Sequence, residues 1–204
     1  MNKEKTILQF DLKKPQIEKI EFFINSIIDY SQHTNLVGKS TLENIWNRHI
    51  LDCLQLTKNI NKSSKLSILD LGTGAGLPGV LLSIVGYQNV LMIDSVKKKT
   101  DFVKKIIKEL SLSAKIQNKR IEKGPLSQHD IIVSRALAPL TKLLSYARMY
   151  SNNNTTSLFL KGRNVNNEID IAKKNFFFDY EKIKSLSSGE SCVLKIKNIK
   201  IKNA

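Results

Sequence analysis

The chain has 204 residues, 41% hydrophobic and 25% charged, enough for one well-packed core and too few for two full domains unless one is a short helical cap. Lys and Arg outnumber Asp and Glu by 33 to 18, and the formal net charge of +15 favours a polyanionic partner (RNA, DNA or an anionic membrane), although Lys, Asn and Ile run high throughout, as biased codon usage also produces. Two cysteines without C-x-x-C spacing, Cys53 and Cys192, exclude a disulfide framework and a metal-ligand set, and no run approaches the roughly 18 to 20 apolar residues of a spanning helix, so a soluble cytoplasmic protein with no membrane role is expected.

In chain order, Ile17, Ile20, Phe23, Ile24, Ile27 and Ile28 recur at steps of three and four and predict an amphipathic helix. Ser40 followed by Glu43 reads as a capping box opening a second helix that continues through Leu42, Ile45, Trp46, Ile50, Cys53, Leu54 and Leu56. The polar stretch Asn59 to Lys65 places a junction there, with residues 1–62 as an N-terminal helical cap and residues 63–204 as the main domain. Beyond it, strands are expected at Leu66 to Leu71, Val90 to Asp94, Ala114 to Asn118, Ile131 to Ser134 and Ser157 to Lys161. Helices fill the gaps at Leu77 to Val85, Val96 to Leu110, Leu140 to Met149 and Val165 to Lys174, while Asn152-Asn153-Asn154 reads as a polar loop. This alternation predicts an α/β fold with a mostly parallel, doubly wound sheet. The tail from Cys192 to Lys202 largely alternates apolar and basic residues; with Phe176-Phe177-Phe178 before it and Ser187-Ser188-Gly189 as a turn, it predicts a C-terminal antiparallel hairpin with one wet face.

The segment Ile68-Leu69-Asp70-Leu71-Gly72-Thr73-Gly74-Ala75-Gly76-Leu77-Pro78-Gly79 reads as a buried strand, a glycine turn and a helix start whose free amides face a ligand. Gly74 to Gly79 fits G-x-G-x-x-G, the dinucleotide fingerprint. The sharper pattern is D-x-G-x-G-x-G from Asp70 to Gly76, which resembles the first motif of class I S-adenosylmethionine (SAM) methyltransferases and implies their Rossmann-like sheet. On that reading Gly72, Thr73, Gly74, Gly76 and Leu77 cradle the amino-acid end of SAM and Asp70 holds its ammonium. Asp94 closes the next strand eighteen positions beyond Gly76, where nucleotide-binding folds place an acid for ribose hydroxyls.

Five further segments, Arg48-His49-Ile50-Leu51-Asp52-Cys53-Leu54, Asp94-Ser95 with Lys98-Lys99, Arg120-Ile121-Glu122, Val133-Ser134-Arg135-Ala136 and Leu160-Lys161-Gly162-Arg163, flank the Leu77-Pro78-Gly79 ending of the glycine loop in an order that resembles the RsmG family, also called GidB. Cys53 stands where that family usually has Ser. The resemblance implies a SAM-dependent enzyme that methylates N7 of a guanine in small-subunit (16S) ribosomal RNA, with the RNA or the small subunit as partner and a monomeric state. It also implies that Gly72 and Leu77 contact SAM, that Ile121 and Glu122 flank its adenine, and that Arg135 lies in the site.

The residues themselves leave several roles open. Arg135 at a strand tip can pair with the cofactor carboxylate or an RNA phosphate, or form a structural ion pair with Asp130 or another carboxylate. His49 and Asp52 share a helical face and can contact each other, close over the cofactor or orient the base, an interdomain hydrogen bond being one reading of His49. Arg48, Lys98, Lys99, Lys161 and Arg163 are candidates for RNA phosphates. Methylation at N7 removes no proton, so no acid or base is required, and Arg135, His49 and Asp52 are positioning candidates. Two other classes compete: an NAD-dependent oxidoreductase, for which Tyr180-Glu181-Lys182-Ile183-Lys184 offers a Y-x-x-x-K spacing, and a non-catalytic RNA-binding or ribosome-assembly protein with a vestigial pocket.

Overall fold

The computed structural model describes residues 3–32, 34, 36–62, 65–124 and 127–202. Two helices, α1 (Lys3–Gln9) and α2 (Lys14–Ser31), open the chain. The start of α2 is fixed by Gln16, whose Oε1 accepts the Lys13 amide at 2.9 Å, and its stripe of Ile20, Phe23, Ile24 and Ile27 is buried. The second helix read from the sequence is instead an irregular run: a 3₁₀ segment at Lys39–Asn44, a π turn at Trp46–Leu51, the short α3 (Asp52–Leu54) and a second 3₁₀ segment at Gln55–Asn59. No capping box forms at Ser40, because the 3₁₀ segment begins one residue earlier, with Gly38 as its N-cap and no side-chain cap. Part of the expected junction, residues 63 and 64, lies outside the described residues.

Among the described residues, seven strands then build one sheet: β1 (Ser67–Leu71), β2 (Asn89–Asp94), β3 (Lys115–Asn118), β4 (His129–Arg135), β5 (Ser151–Lys161), β6 (Phe176–Lys184) and β7 (Cys192–Ile201). Their order is β3-β2-β1-β4-β5-β7-β6, with the first five parallel and β7 antiparallel to both neighbours. The expected hairpin is therefore present. The chain changes direction between β1 and β4, and the carboxyl ends of these two strands flank the switch point at which such sheets bind ligands. Asn152 to Asn154, expected as a loop, lie inside the start of β5; a register shift between His129 and Ile131 absorbs the irregularity.

Helices cover both faces. Residues of α2, of α4 (Gly79–Ile84) and of α5 (Lys97–Glu109) pack with Ile68, Met92, Val133 and Leu158 on one face. Those of α6 (Leu140–Met149) and α7 (Val165–Ala172) pack with Leu69, Ile93, Ile132 and Phe159 on the other. Successive strand residues alternate between these clusters, as the two-residue strand period demands. In β7 the alternation is reset at Asn198, which takes φ 56°, so that Ile196 and Ile199, three apart, face the same side. No helix among the described residues is long and apolar enough to cross a membrane.

The alternation also fixes the fate of Asp70, which lies on the α4 face of β1 with no exposed surface. Its Oδ2 accepts Thr73 Oγ1 at 2.6 Å and the Gly79 amide at 2.8 Å, tying the glycine loop to the start of α4. Gly79 must be glycine here: a Cβ would lie 2.4 Å from Met92 Cγ and 2.9 Å from Asp70 Oδ2. Oδ1 is buried with no hydrogen-bond partner among the described residues, and burial pushes the carboxyl pKa up to about 6. A group protonated more readily in the folded state stabilises below its unfolded pKa near 3.8 and loses that contribution as pH rises through about 6. Wild type should therefore lose about 2 kcal/mol relative to Asp70→Asn between pH 4 and pH 7, as read by denaturant unfolding of both proteins; a pH-independent difference would contradict this role.

Candidate active site

The carboxyl ends of β1, β2 and β4, the irregular cap and the turn between β6 and β7 enclose a cavity of about 610 Å³. A second cavity of about 190 Å³ adjoins it and shares Gly72, Asp94, Ser95 and Leu137. Together they form one cleft over the switch point.

Its floor is the glycine loop. Gly72, Thr73, Gly74 and Leu77 line the larger cavity. Gly72 takes φ +69°, and a Cβ there would lie 2.5 Å from Leu137 Cδ1, so the Leu137 side chain after β4 packs on the bare backbone of the loop. Gly74 takes φ +59° with open space where its Cβ would point, the arrangement a ligand needs to lie against the chain. Asp94 faces the same space: Oδ2 accepts the Gly74 amide at 2.9 Å and Oδ1 accepts the Val96 amide at 2.9 Å. Ile121 and Glu122 line the adjoining cavity, where Glu122 accepts a hydrogen bond from Tyr146 Oη and the Ile121 carbonyl accepts from Tyr150 Oη at 2.9 Å.

The roof comes from the cap. The π turn brings Arg48 and His49, and α3 brings Asp52, against the tip of β4. Arg135 Nη1 donates to His49 Nδ1 at 2.7 Å and to the Arg48 carbonyl at 3.3 Å. A guanidinium only donates, so Nδ1 is an acceptor and the imidazole is neutral with its proton on Nε2. Nε2 then donates to Thr41 Oγ1 at 2.6 Å, and Thr41 Oγ1 donates to the Gly38 carbonyl at 2.6 Å. Burial first, then the charges of Arg135 and Arg48, push the His49 pKa down to about 4. Asp52 lies 4.0 Å from Arg135 Nη1 and accepts Ser187 Oγ at 2.7 Å; burial raises its pKa. Of the carboxylates open to Arg135 in the sequence reading, the one that faces it is Asp52, while Asp130 holds the Ser67 amide and hydroxyl at 2.8 and 2.7 Å.

The sequence-based site changes in several places. Asp70 does not face the cleft and cannot meet a ligand ammonium, being sealed beneath the loop. Gly76 is also buried outside it; a Cβ there would meet Val80 at 2.6 Å, so this glycine serves packing. Lys161 is not free for phosphate, because its ammonium pairs with Glu168 at 2.6 Å and donates to the Ala138 carbonyl at 3.3 Å, with 9% of the side chain exposed. Lys99 lines the cleft, whereas Lys98 and Arg163 are exposed outside it. Cys53 is buried and its thiol pKa is pushed up to about 12, which removes it as a nucleophile. Tyr180 and Lys184 sit on strand β6, away from the cleft, with Lys173 Nζ 4.9 Å from the Tyr180 ring.

Sequence reasoning missed the turn that closes the third side. Ser187, Ser188 and Ser191 line the cavity, and the turn is bonded to the cap through Asp52, through Gln55 to Ser185 Oγ (3.1 Å) and the Leu186 amide (2.9 Å), and through Asn47 to the Ser187 carbonyl (3.0 Å). Ser187-Ser188-Gly189 signals a turn, but nothing in the local pattern signals contact with residues more than 130 positions away.

Residues 16–196 match the family model for rRNA small subunit methyltransferase G, GidB. The ribosomal RNA small subunit methyltransferase G of Hyphomonas neptunium is 33% identical to the chain over 95% of it and 93% of the relative. That of Rickettsia prowazekii is 37% identical over 90% and 94%. Among solved structures, a ribosomal protein L11 methylase from Lactobacillus delbrueckii subsp. bulgaricus has a TM-score of 0.58 at 21% identity, covering 72% of this chain and 76% of that one. A TehB-like SAM-dependent methyltransferase from Corynebacterium glutamicum has a TM-score of 0.59 at 17% identity, covering 78% and 94%. These structural likenesses speak for the fold, and none of the comparisons supports an oxidoreductase or a non-catalytic assembly protein. With the sequence matches spanning nearly its whole length and the cleft lying at the switch point of a methyltransferase sheet, the chain belongs to the rRNA small subunit methyltransferase G family.

Proposed function

We propose that the protein transfers a methyl group from SAM to N7 of one guanine in small-subunit ribosomal RNA, with SAM on the glycine loop and the guanine beneath the cap. The observation that carries this reading is the single cleft that runs from the Ile121–Glu122 shelf past Asp94 and Gly74 to the cluster of Arg135, His49 and Asp52. Asp94 would meet the ribose, the bare backbone at Gly74 the amino-acid end, and Ile121 with Glu122 the adenine. Bound there, SAM supplies an electrophilic methyl on a positive sulfonium, already a good leaving group.

Guanine N7 presents a lone pair and releases no proton, so the chain's work is to position and desolvate. The state of His49 agrees with that demand: both ring nitrogens are engaged and its pKa lies near 4, so at neutral pH it is a neutral strut under Arg135 and not a base. Holding the nucleophile in line can supply roughly 7 to 11 kcal/mol. Arg48 and Lys99, which line the cleft, and the exposed Lys98 and Arg163 would neutralise RNA phosphates.

Gly74→Asp places a carboxylate in the open space beside Asp94. It should remain folded, losing about 1 kcal/mol for its positive φ, while SAM affinity in calorimetric titration falls at least about a hundredfold. Arg135→Ala should keep SAM binding and lower kcat/KM on small subunits by about a hundredfold through misplacement of the acceptor. Wild-type turnover in either variant would contradict the assigned cleft. His49 gives a further test: its depressed pKa means that stability is full above about 6.5 and is lost as pH falls toward 4, by about 3 kcal/mol. His49→Gln, which keeps a donor and an acceptor but does not titrate, should lack this loss when unfolding is followed from pH 7 to pH 4.5.

A further inference from the structure

Asp52 stands in the cleft wall with its two oxygens unequally employed. Oδ1 accepts Ser187 Oγ at 2.7 Å and Gln55 Nε2 at 3.0 Å. Oδ2 receives no hydrogen bond among the described residues; the charge facing it is Arg135 Nη1, at 4.0 Å. Arg135 is held in turn through Nη1 by His49 and the Arg48 carbonyl, leaving its other nitrogens without hydrogen bonds among the described residues. Each of the two side chains is only 17% exposed. The wall therefore presents, side by side, a fixed donor and a fixed acceptor, the acceptor being a carboxylate oxygen on the cleft wall whose hydrogen-bonding capacity is left for a ligand.

A nucleobase edge that satisfies both must carry an acceptor next to a donor. Guanine does, with O6 followed by N1–H and N2–H. Adenine and cytosine present a donor followed by a lone pair, setting an amine against the guanidinium and a lone pair against the carboxylate. Uracil matches with O4 and N3–H but has no N7 to methylate. We infer that Asp52 reads the target base as guanine, accepting its N1–H and N2–H through Oδ2 while Arg135 donates to O6. Resting on the proposed N7 reaction, this assignment gives the site a reason to choose its base. It also accounts for a carboxylate kept beside the RNA entrance of a strongly cationic chain, with Gln55 and Ser187 both holding its other oxygen.

Inosine, which lacks the N2 amine, isolates the contact. Small subunits assembled on ligated rRNA carrying guanosine or inosine at the methylated position are assayed with wild type, Asp52→Asn and Ser187→Ala, and SAM affinity is titrated for each. Wild type should prefer guanosine by about tenfold in kcat/KM. Asp52→Asn should lose about ten- to a hundredfold on guanosine, bring the two substrates within about twofold of each other and keep SAM affinity. Ser187→Ala, which removes only a brace on Oδ1, should retain the preference. Equal use of the two substrates by wild type, which needs no variant to fold, overturns the assignment, as does a guanosine preference that survives Asp52→Asn. A wild type that binds SAM but places no label on N7 of guanosine removes the proposed reaction together with this inference.

Discussion

The bond from Arg135 to His49 is the constraint on which the site depends, because it joins the tip of β4 to the π turn of the cap above the cleft. A guanidinium cannot accept, so the imidazole must be neutral, its proton must sit on Nε2, and Thr41 must receive it. The chain of donors ends on the Gly38 carbonyl. The π turn that carries Arg48 and His49 is local evidence of the same demand: a regular helix was traded for side-chain placement, as π turns at functional sites commonly show.

Two carboxylates on neighbouring strands show how far register decides duty. Asp70 pairs with Met92 and Leu71 with Ile93, so Asp94 stands two residues closer to the carboxyl edge than Asp70, roughly 6.6 Å. That offset puts Asp94 beside Gly74 in the cleft and leaves Asp70 under the loop, bonded to Thr73 and Gly79. The loop is thus clamped from below by one acid and edged by another. The opposite pH responses of Asp70 and His49 follow from the same burial: a buried carboxylate resists ionisation, and a buried imidazole resists protonation.

The sheet was legible from sequence because apolar runs broken by glycine turns and helical stripes at steps of three and four distinguish strands from helices. What escaped notice has physical causes. The irregular cap carries apolar residues at nearly helical spacing, so Ser40 and Glu43 imitate a capping box that backbone geometry at Gly38 supersedes. Lys161 reads as a free cation because sequence does not reveal that Glu168, on α7, folds back onto it. Asp70 follows the methyltransferase pattern, yet the motif does not say that the Thr73 hydroxyl and the Gly79 amide donate to it. The serine turn between β6 and β7 is informative only once tertiary folding brings it to Asp52.

The central claim is the reaction itself, methyl transfer from SAM to one guanine N7 of small-subunit RNA. Its most direct test incubates the protein with SAM labelled in the methyl group and small subunits from cells lacking this enzyme, followed by digestion of the RNA and identification of the labelled nucleoside. The expected result is 7-methylguanosine from one position. Label in any other nucleoside, or none despite measurable SAM binding, would contradict the account.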